Sequence, residues 1–233
     1  SVCDWHGVVC HKDTRQVEQL YLPSNGLQGY LPSELPLLTS LTSIVLVDNL
    51  LTGTLPTAFG TMPNLRELAV SSNLDLGGTL PTELGMISTL ESLEATLNNF
   101  TGPIPSELGN CADLAHLALT DNGITGTLPW DLSMLVQLTS LDLSANDLDV
   151  GELPDWMWDL TSLEILSIGD SGIRGTISTE LGALSNLEFL SLRQNELEGS
   201  LPTELGFLTA LTYLDLSSNR LSGSFQPEVL SVL

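Results

Sequence analysis

Three histidines, three cysteines and 29 carboxylates against 6 lysines and arginines are what this 233-residue chain offers to chemistry. His6 and His11 lie near the start and His116 far from both, and no serine or cysteine stands at a spacing that pairs a nucleophile with a base. Neither CxxC pairs nor an HExxH run is present, so metal-ligand spacing is missing as well. Carboxylates are so numerous that no pair singles itself out as a general acid and base, and a solvated acidic surface explains them first. One group is denser: Asp142, Asp147, Asp149 and Glu152 offer oxygen ligands for calcium, without the ligand spacing or the glycine of a calcium loop. These residues imply no catalysis and no cofactor.

The charge balance excludes a further class. A formal net charge of −23 does not suit a protein that binds nucleic acid by neutralising phosphates. With 42% of residues hydrophobic and leucine alone supplying roughly a fifth, the chain has the material for a core and is not disordered. Apolar runs such as Ile44 to Val47 fall far short of the ~18 residues that span a bilayer, and no basic region precedes an apolar stretch. The chain begins at Ser1, as one that has lost a leader or been trimmed would.

What must position these side chains follows from a period. Units of 24 residues, two of them one residue longer, begin at Val17, Leu41, Leu65, Leu90, Leu114, Leu138, Leu163, Leu187 and Leu211, each close to LxxLxLxxNxLxGxLPxELGxLxx. The LxLxx portion alternates with period two and predicts a short strand with one buried face. The asparagine after it recurs as Asn25, Asn49, Asn73, Asn98, Asn122, Asn146, Asn195 and Asn219, flanked by apolar residues. A buried carboxamide column can bond the turn backbones of successive coils. Ser171 alone breaks the column, which predicts a looser turn there. Gly and Pro of the LxGxLP element punctuate the return path. The Ser/Thr-Glu-Leu that follows predicts a helical turn with a hydroxyl cap and an acid in its first turn, a structural use for Glu34, Glu83, Glu107, Glu180 and Glu204.

The unit resembles the plant-type leucine-rich repeat, and Cys3-Asp4-Trp5-His6-Gly7-Val8-Val9-Cys10 resembles the amino-terminal cap of plant receptor-kinase ectodomains and polygalacturonase-inhibiting proteins. The resemblance covers nearly the whole chain. It implies an α/β solenoid, a horseshoe or superhelix with a parallel β-sheet on its concave face and short helical turns on the convex side. The domains would be a disulfide cap over residues 1–16 and nine repeats over 17–233, with no recognisable cysteine cap at the far end. In that cap a Cys3–Cys10 disulfide would cover the first coil and imply an oxidising, extracellular or cell-surface setting. Cys111 is then left over, as a buried apolar residue rather than a reactive thiol. Asn99-Phe100-Thr101 is the only glycosylation sequon, just beyond ladder Asn98. At the far end, Ser224-Phe225-Gln226-Pro227 leaves the repeat spacing, and an uncapped last coil implies continuation, an atypical cap, or pairing into a dimer.

Parallel strands stacked at ~4.8 Å would tile a concave surface, where a ligand belongs. In register, one outward column is Gln19, Ser43, Glu67, Ser92, His116, Ser140, Ile165, Phe189 and Tyr213; a second is Tyr21, Val45, Ala69, Glu94, Ala118, Asp142, Ser167, Ser191 and Asp215. Ile165, Phe189 and Tyr213 would form an apolar patch beside Arg193, next to an acidic middle that includes Glu94, Asp142 and His116. Trp130, Trp156 and Trp158 are expected to fill the return flank. The leading expectation is a non-catalytic extracellular module that binds a peptide or protein, preferably basic, on this face. The alternatives are an inhibitor of wall-degrading enzymes and an ice-binding or adhesive solenoid. For the last, Thr54, Thr79, Thr127, Thr176, Ser200 and Ser224 share one position, interrupted by Tyr30, Pro103 and Glu152.

Overall fold

A computed structural model describes residues 1–149 and 151–224. The uncapped end expected at Phe225 to Leu233, and any dimer contact through it, lie outside the described residues. From Val17–Tyr21 to Tyr213–Asp215, one strand of each coil joins a single sheet by parallel pairing. Both columns stand in the anticipated register: Gln19 opposite Ser43 at one end, Phe189 opposite Tyr213 at the other. Between them the middle leucine of each strand, Leu68, Leu93, Leu117, Leu141, Leu166 and Leu190, points into the core and is shut off from solvent. Alternation along the strand sends its neighbours the other way. A tenth strand, Val8–Cys10, pairs antiparallel with Val17–Tyr21 and covers the sheet edge, tied by a Cys3–Cys10 disulfide. The cap is therefore a strand as well as a staple.

The asparagine ladder is built as the sequence implies, with one exception. Asn146 Nδ2 donates to the Leu143 and Ser144 carbonyls of its own turn and to Leu119 of the preceding coil, while its Oδ1 accepts from Ile124 N–H. Asn49, Asn122 and Asn219 repeat the pattern. Asn25 does not: it is exposed, and its amide reaches only Pro23 O, because the cap offers no coil carbonyl on that side. Each residue just before the column, among them Asp48, Leu97, Ala145 and Ser218, is held at positive φ. The left-handed turn is what aims the amide inward, and its cost is offset by the bonds the amide makes. Ser171 keeps the backward bond to Leu143 O and also reaches Gly169 O, but among the described residues its shorter side chain accepts from no N–H of the coil before.

A second sheet, not anticipated, runs along the flank. The LxG segments pair in parallel as six strands from Gln28–Tyr30 to Asp147–Leu148, then again as three strands, Arg174–Thr176, Glu196–Gly199 and Arg220–Leu221. The interruption falls between the longer repeat that begins at Leu138 and the next coil, which holds Ser171. There Arg174 N–H bonds to Gly151 O instead of to a strand.

On the outer side the helical turns are 3-10, not α, and the expected hydroxyl caps are absent but for one. Proline is the N-cap residue at Pro56, Pro81, Pro105, Pro129, Pro154 and Pro202, without a side-chain bond. The Ser or Thr is already the first residue of the turn, where its hydroxyl reaches the next carboxylate, as Thr203 Oγ1 does Glu204. Ser178 stands where the other coils have proline, and it does cap, accepting from Glu180 N–H. The glycine of ELG makes successive turns touch: a Cβ on Gly85 would run into the Glu107 carbonyl, and one on Gly109 into that of Asp131. In three coils Pro36, Ser133 and Trp158 take that position.

Concave face as the candidate functional site

The concave sheet brings Ile165, Phe189 and Tyr213 onto three adjacent strands. Phe189 and Tyr213 lie face to face, ring centroids 4.3 Å apart and planes 3° from parallel. Ile165 and Tyr213, 39% and 46% exposed, extend the surface to either side. A stack of this kind stiffens both rings and presents their apolar edges to solvent side by side. Arg193 is exposed beside it. Its aliphatic stem lies over Gly169 of the preceding coil, where a Cβ would stand 3.0 Å from Arg193 Cγ. Neighbouring coils carry Ser144 and Ser217 at the corresponding place, so glycine here makes room for the arginine. Sequence inspection missed Gly169; the signal was a glycine in a column of serine and threonine.

Asp215 stands beside the platform on the same side as Arg193. Its Oδ1 accepts from Ser217 Oγ at 2.6 Å and from Ser217 N at 3.0 Å. Those two bonds, with Arg193 and Tyr213 nearby, hold its carboxyl below the usual aspartate range. The platform thus ends in a hydrogen-bonded negative charge next to a positive one.

The remaining concave residues are spread along the sheet. His116 is exposed at its centre, with Glu94 and Asp142 on the adjoining column. Concave carboxylates are held by serines: Ser43 Oγ donates to Glu67 at 2.6 Å, Ser92 Oγ to Glu94 at 3.3 Å, and Ser144 N to Asp142 at 3.1 Å. Arg66 pairs with Glu91. The second column is less open than expected: Val45, Ala69, Ser167 and Ser191 are buried, because their small side chains sit below larger neighbours on adjacent strands.

The carboxylates weighed for calcium are spread over the coil. Asp142 belongs to the concave strand Ser140–Asp142 and Asp147 to the flank strand Asp147–Leu148, while Glu152 packs its stem over Gly175 of the next coil. The turn of the coil separates residues that are near in sequence, and among the described residues no three His, Cys, Asp or Glu side chains could hold a metal ion. The tryptophan expectation holds in part. Trp158 is buried, Trp156 half-buried, and Trp130 is 64% exposed on its helical turn. Cys111 is fully buried, and burial pushes its thiol up to about 11, which suits an inert core residue. Asn99 is exposed at the start of a flank strand.

Known proteins fit this geometry. The family model described as Leucine rich repeat matches residues 161–221, and a second, Leucine Rich Repeat, matches 89–111 and 137–160. No curated protein matches the sequence. Among solved structures, the ectodomain of the Arabidopsis receptor kinase HAESA, in complex with an N-terminally extended IDA peptide hormone, is 33% identical with a TM-score of 0.93. The match covers 99% of this chain and 39% of that one. A TDR receptor is 33% identical at a TM-score of 0.82, over 85% of this chain and 34% of that one. A plant ice-binding protein is 25% identical at a TM-score of 0.76, over 95% of this chain and 78% of that one. The chain therefore spans well under half the length of the two receptors. Among the described residues no helix is long and apolar enough to cross a membrane. The chain is a leucine-rich-repeat protein with the architecture of plant receptor-kinase ectodomains.

Proposed function

We propose that the chain is a non-catalytic extracellular recognition module that binds a peptide or protein on its concave face, centred on Ile165, Phe189 and Tyr213. The observation that carries this is the solvent-facing Phe189–Tyr213 stack with Arg193 and Asp215 at one edge. An exposed aromatic platform edged by one charge of each sign suits a partner side chain with its backbone alongside. Structures of HAESA and PEPR1, solved with the peptides IDA and AtPEP1, support ligand recognition by this architecture. The acidic middle of the face favours a partner with net positive charge. Extracellular peptides would be captured on the immobilised protein and on Phe189→Ala and Tyr213→Ala. Loss of the same peptides from both variants is expected; unchanged recovery would remove the platform from consideration.

A second function is favoured by the flank. Thr54, Thr79, Thr127 and Thr176 are exposed, and the methyls of Thr54, Thr79 and Thr176 rest on Gly78, Gly102 and Gly199 of the following coils. β-branching and that contact fix their rotamers into a regular row, the kind of array an ordered water lattice could match. Tyr30, Pro103 and Glu152 break the row. Thermal hysteresis abolished by Thr79→Lys would establish this function, and its absence in the parent protein would dismiss it.

A further inference from the structure

A cleft of about 680 Å³ opens on the outer face between the helical turns Asp155–Asp159 and Thr179–Ala183 and reaches Phe207 of the next turn. It exists because Trp158 stands where Gly60, Gly85 and Gly109 let neighbouring turns touch. An indole cannot occupy the space of a hydrogen atom, so the turns on either side are wedged apart.

The opening is walled by Trp156, Trp158 and Phe207, the last 64% exposed. Four carboxylates line it: Asp155, Asp159, Glu180 and Glu204. None of the four forms an ion pair among the described residues. Every cation of the chain lies elsewhere: Lys12 and Arg15 in the cap region, Arg66 with Glu91, Arg174 and Arg220 with Glu196, and Arg193 on the concave face. Trp158 supplies an independent indication. It is buried to within 2% of completely, yet its Nε1–H has no acceptor. A buried donor left unanswered is costly, and it lines a cleft that already offers flat apolar walls and unneutralised charge.

We propose that this cleft seats an arginine-bearing segment of a partner protein. The guanidinium stacks on the exposed aromatic walls, and its charge meets Glu180 and Glu204. Arginine is chosen because its planar head both stacks and presents several donors to carboxylates, whereas the more strongly hydrated lysine head does neither as well. The cleft is on the opposite side of the solenoid from the Phe189–Tyr213 platform, so this interface is independent of the concave one.

The probe is an end-blocked Gly-Gly-Arg-Gly-Gly peptide, compared with its citrulline counterpart, which keeps the shape and removes the charge. Tryptophan emission is titrated in the parent protein, in Glu180→Gln/Glu204→Gln and in Glu34→Gln/Glu107→Gln, which loses the same charge from outer turns away from the cleft. A saturable emission change is expected with the arginine peptide, weakened about tenfold by citrulline and about tenfold in the cleft pair, but less than about twofold in the distant pair. Equal loss in both charge pairs would mean general attraction to an acidic protein and would overturn the proposal, as would the absence of a saturable change in the parent.

Discussion

At the residue scale, the amide of each ladder asparagine satisfies backbone groups that no other side chain reaches. Asn146 is buried and makes three donor contacts and one acceptor contact across two coils. Asn146→Ala would strand those groups, and by chemical denaturation the expected loss is about 2–4 kcal/mol. Asn25→Ala, exposed and singly bonded, should stay within about 0.5 kcal/mol. Near-equal costs at the two positions would refute the ladder's energetic role. Gly169 poses a different question, because its backbone is ordinary and only the space above it is special. Gly169→Thr should leave stability within about 1 kcal/mol, displace the Arg193 side chain, and weaken ligand capture without touching the aromatic platform. Binding unchanged by that substitution would make Arg193 a bystander.

At the element scale, a strand, a flank segment and a 3-10 turn repeat in every coil, and their contacts are chiefly with the same element one coil away. Gly85 shows how tight this is. The Glu107 carbonyl occupies the place of a Cβ, so Gly85→Ala should force the two turns apart at a cost of about 1–3 kcal/mol, seen as a lower melting temperature. A neutral result would mean that the outer turns are not in close contact. The strand positions and the two concave columns were legible because alternation of leucine with polar residues admits one register once the core side is fixed. The flank sheet was not legible, since its strands are short and contain glycine at positive φ, a signature shared with turns. The caps were misread for a related reason: Ser and Thr are good cap residues, but the proline before them already sets the backbone that a cap requires. At the candidate site, the order Ile165, Phe189, Tyr213 was visible along the sequence, while the ring stack and the room that Gly169 makes are facts of packing that no spacing encodes. The calcium cluster shows the opposite failure, nearness in sequence undone by the turn of a coil.

At the scale of the whole molecule, a solenoid is held by neighbour contacts rather than by one central core, so a weak junction stays local. Three departures coincide in the coils around residues 147–176: Ser171 in the ladder, the broken flank sheet and the Trp158 wedge. Amide hydrogens of residues 147–149 and 172–176 should therefore exchange faster than those of the flank strand Gly123–Gly126, and uniform protection would contradict the junction. The charge of −23 also divides by place. Part belongs to the helical-turn signature on the outer face, part to the concave face, and only carboxylates that share a surface with exposed aromatic side chains are assigned to partners. The central claim is that the Phe189–Tyr213 platform meets the ligand, and hydroxyl-radical footprinting with and without the captured peptide tests it most directly. Oxidation of Phe189 and Tyr213 is expected to fall several-fold on binding while Trp130 stays as reactive as before. Unchanged oxidation of Phe189 and Tyr213 with protection elsewhere on the molecule would contradict the claim.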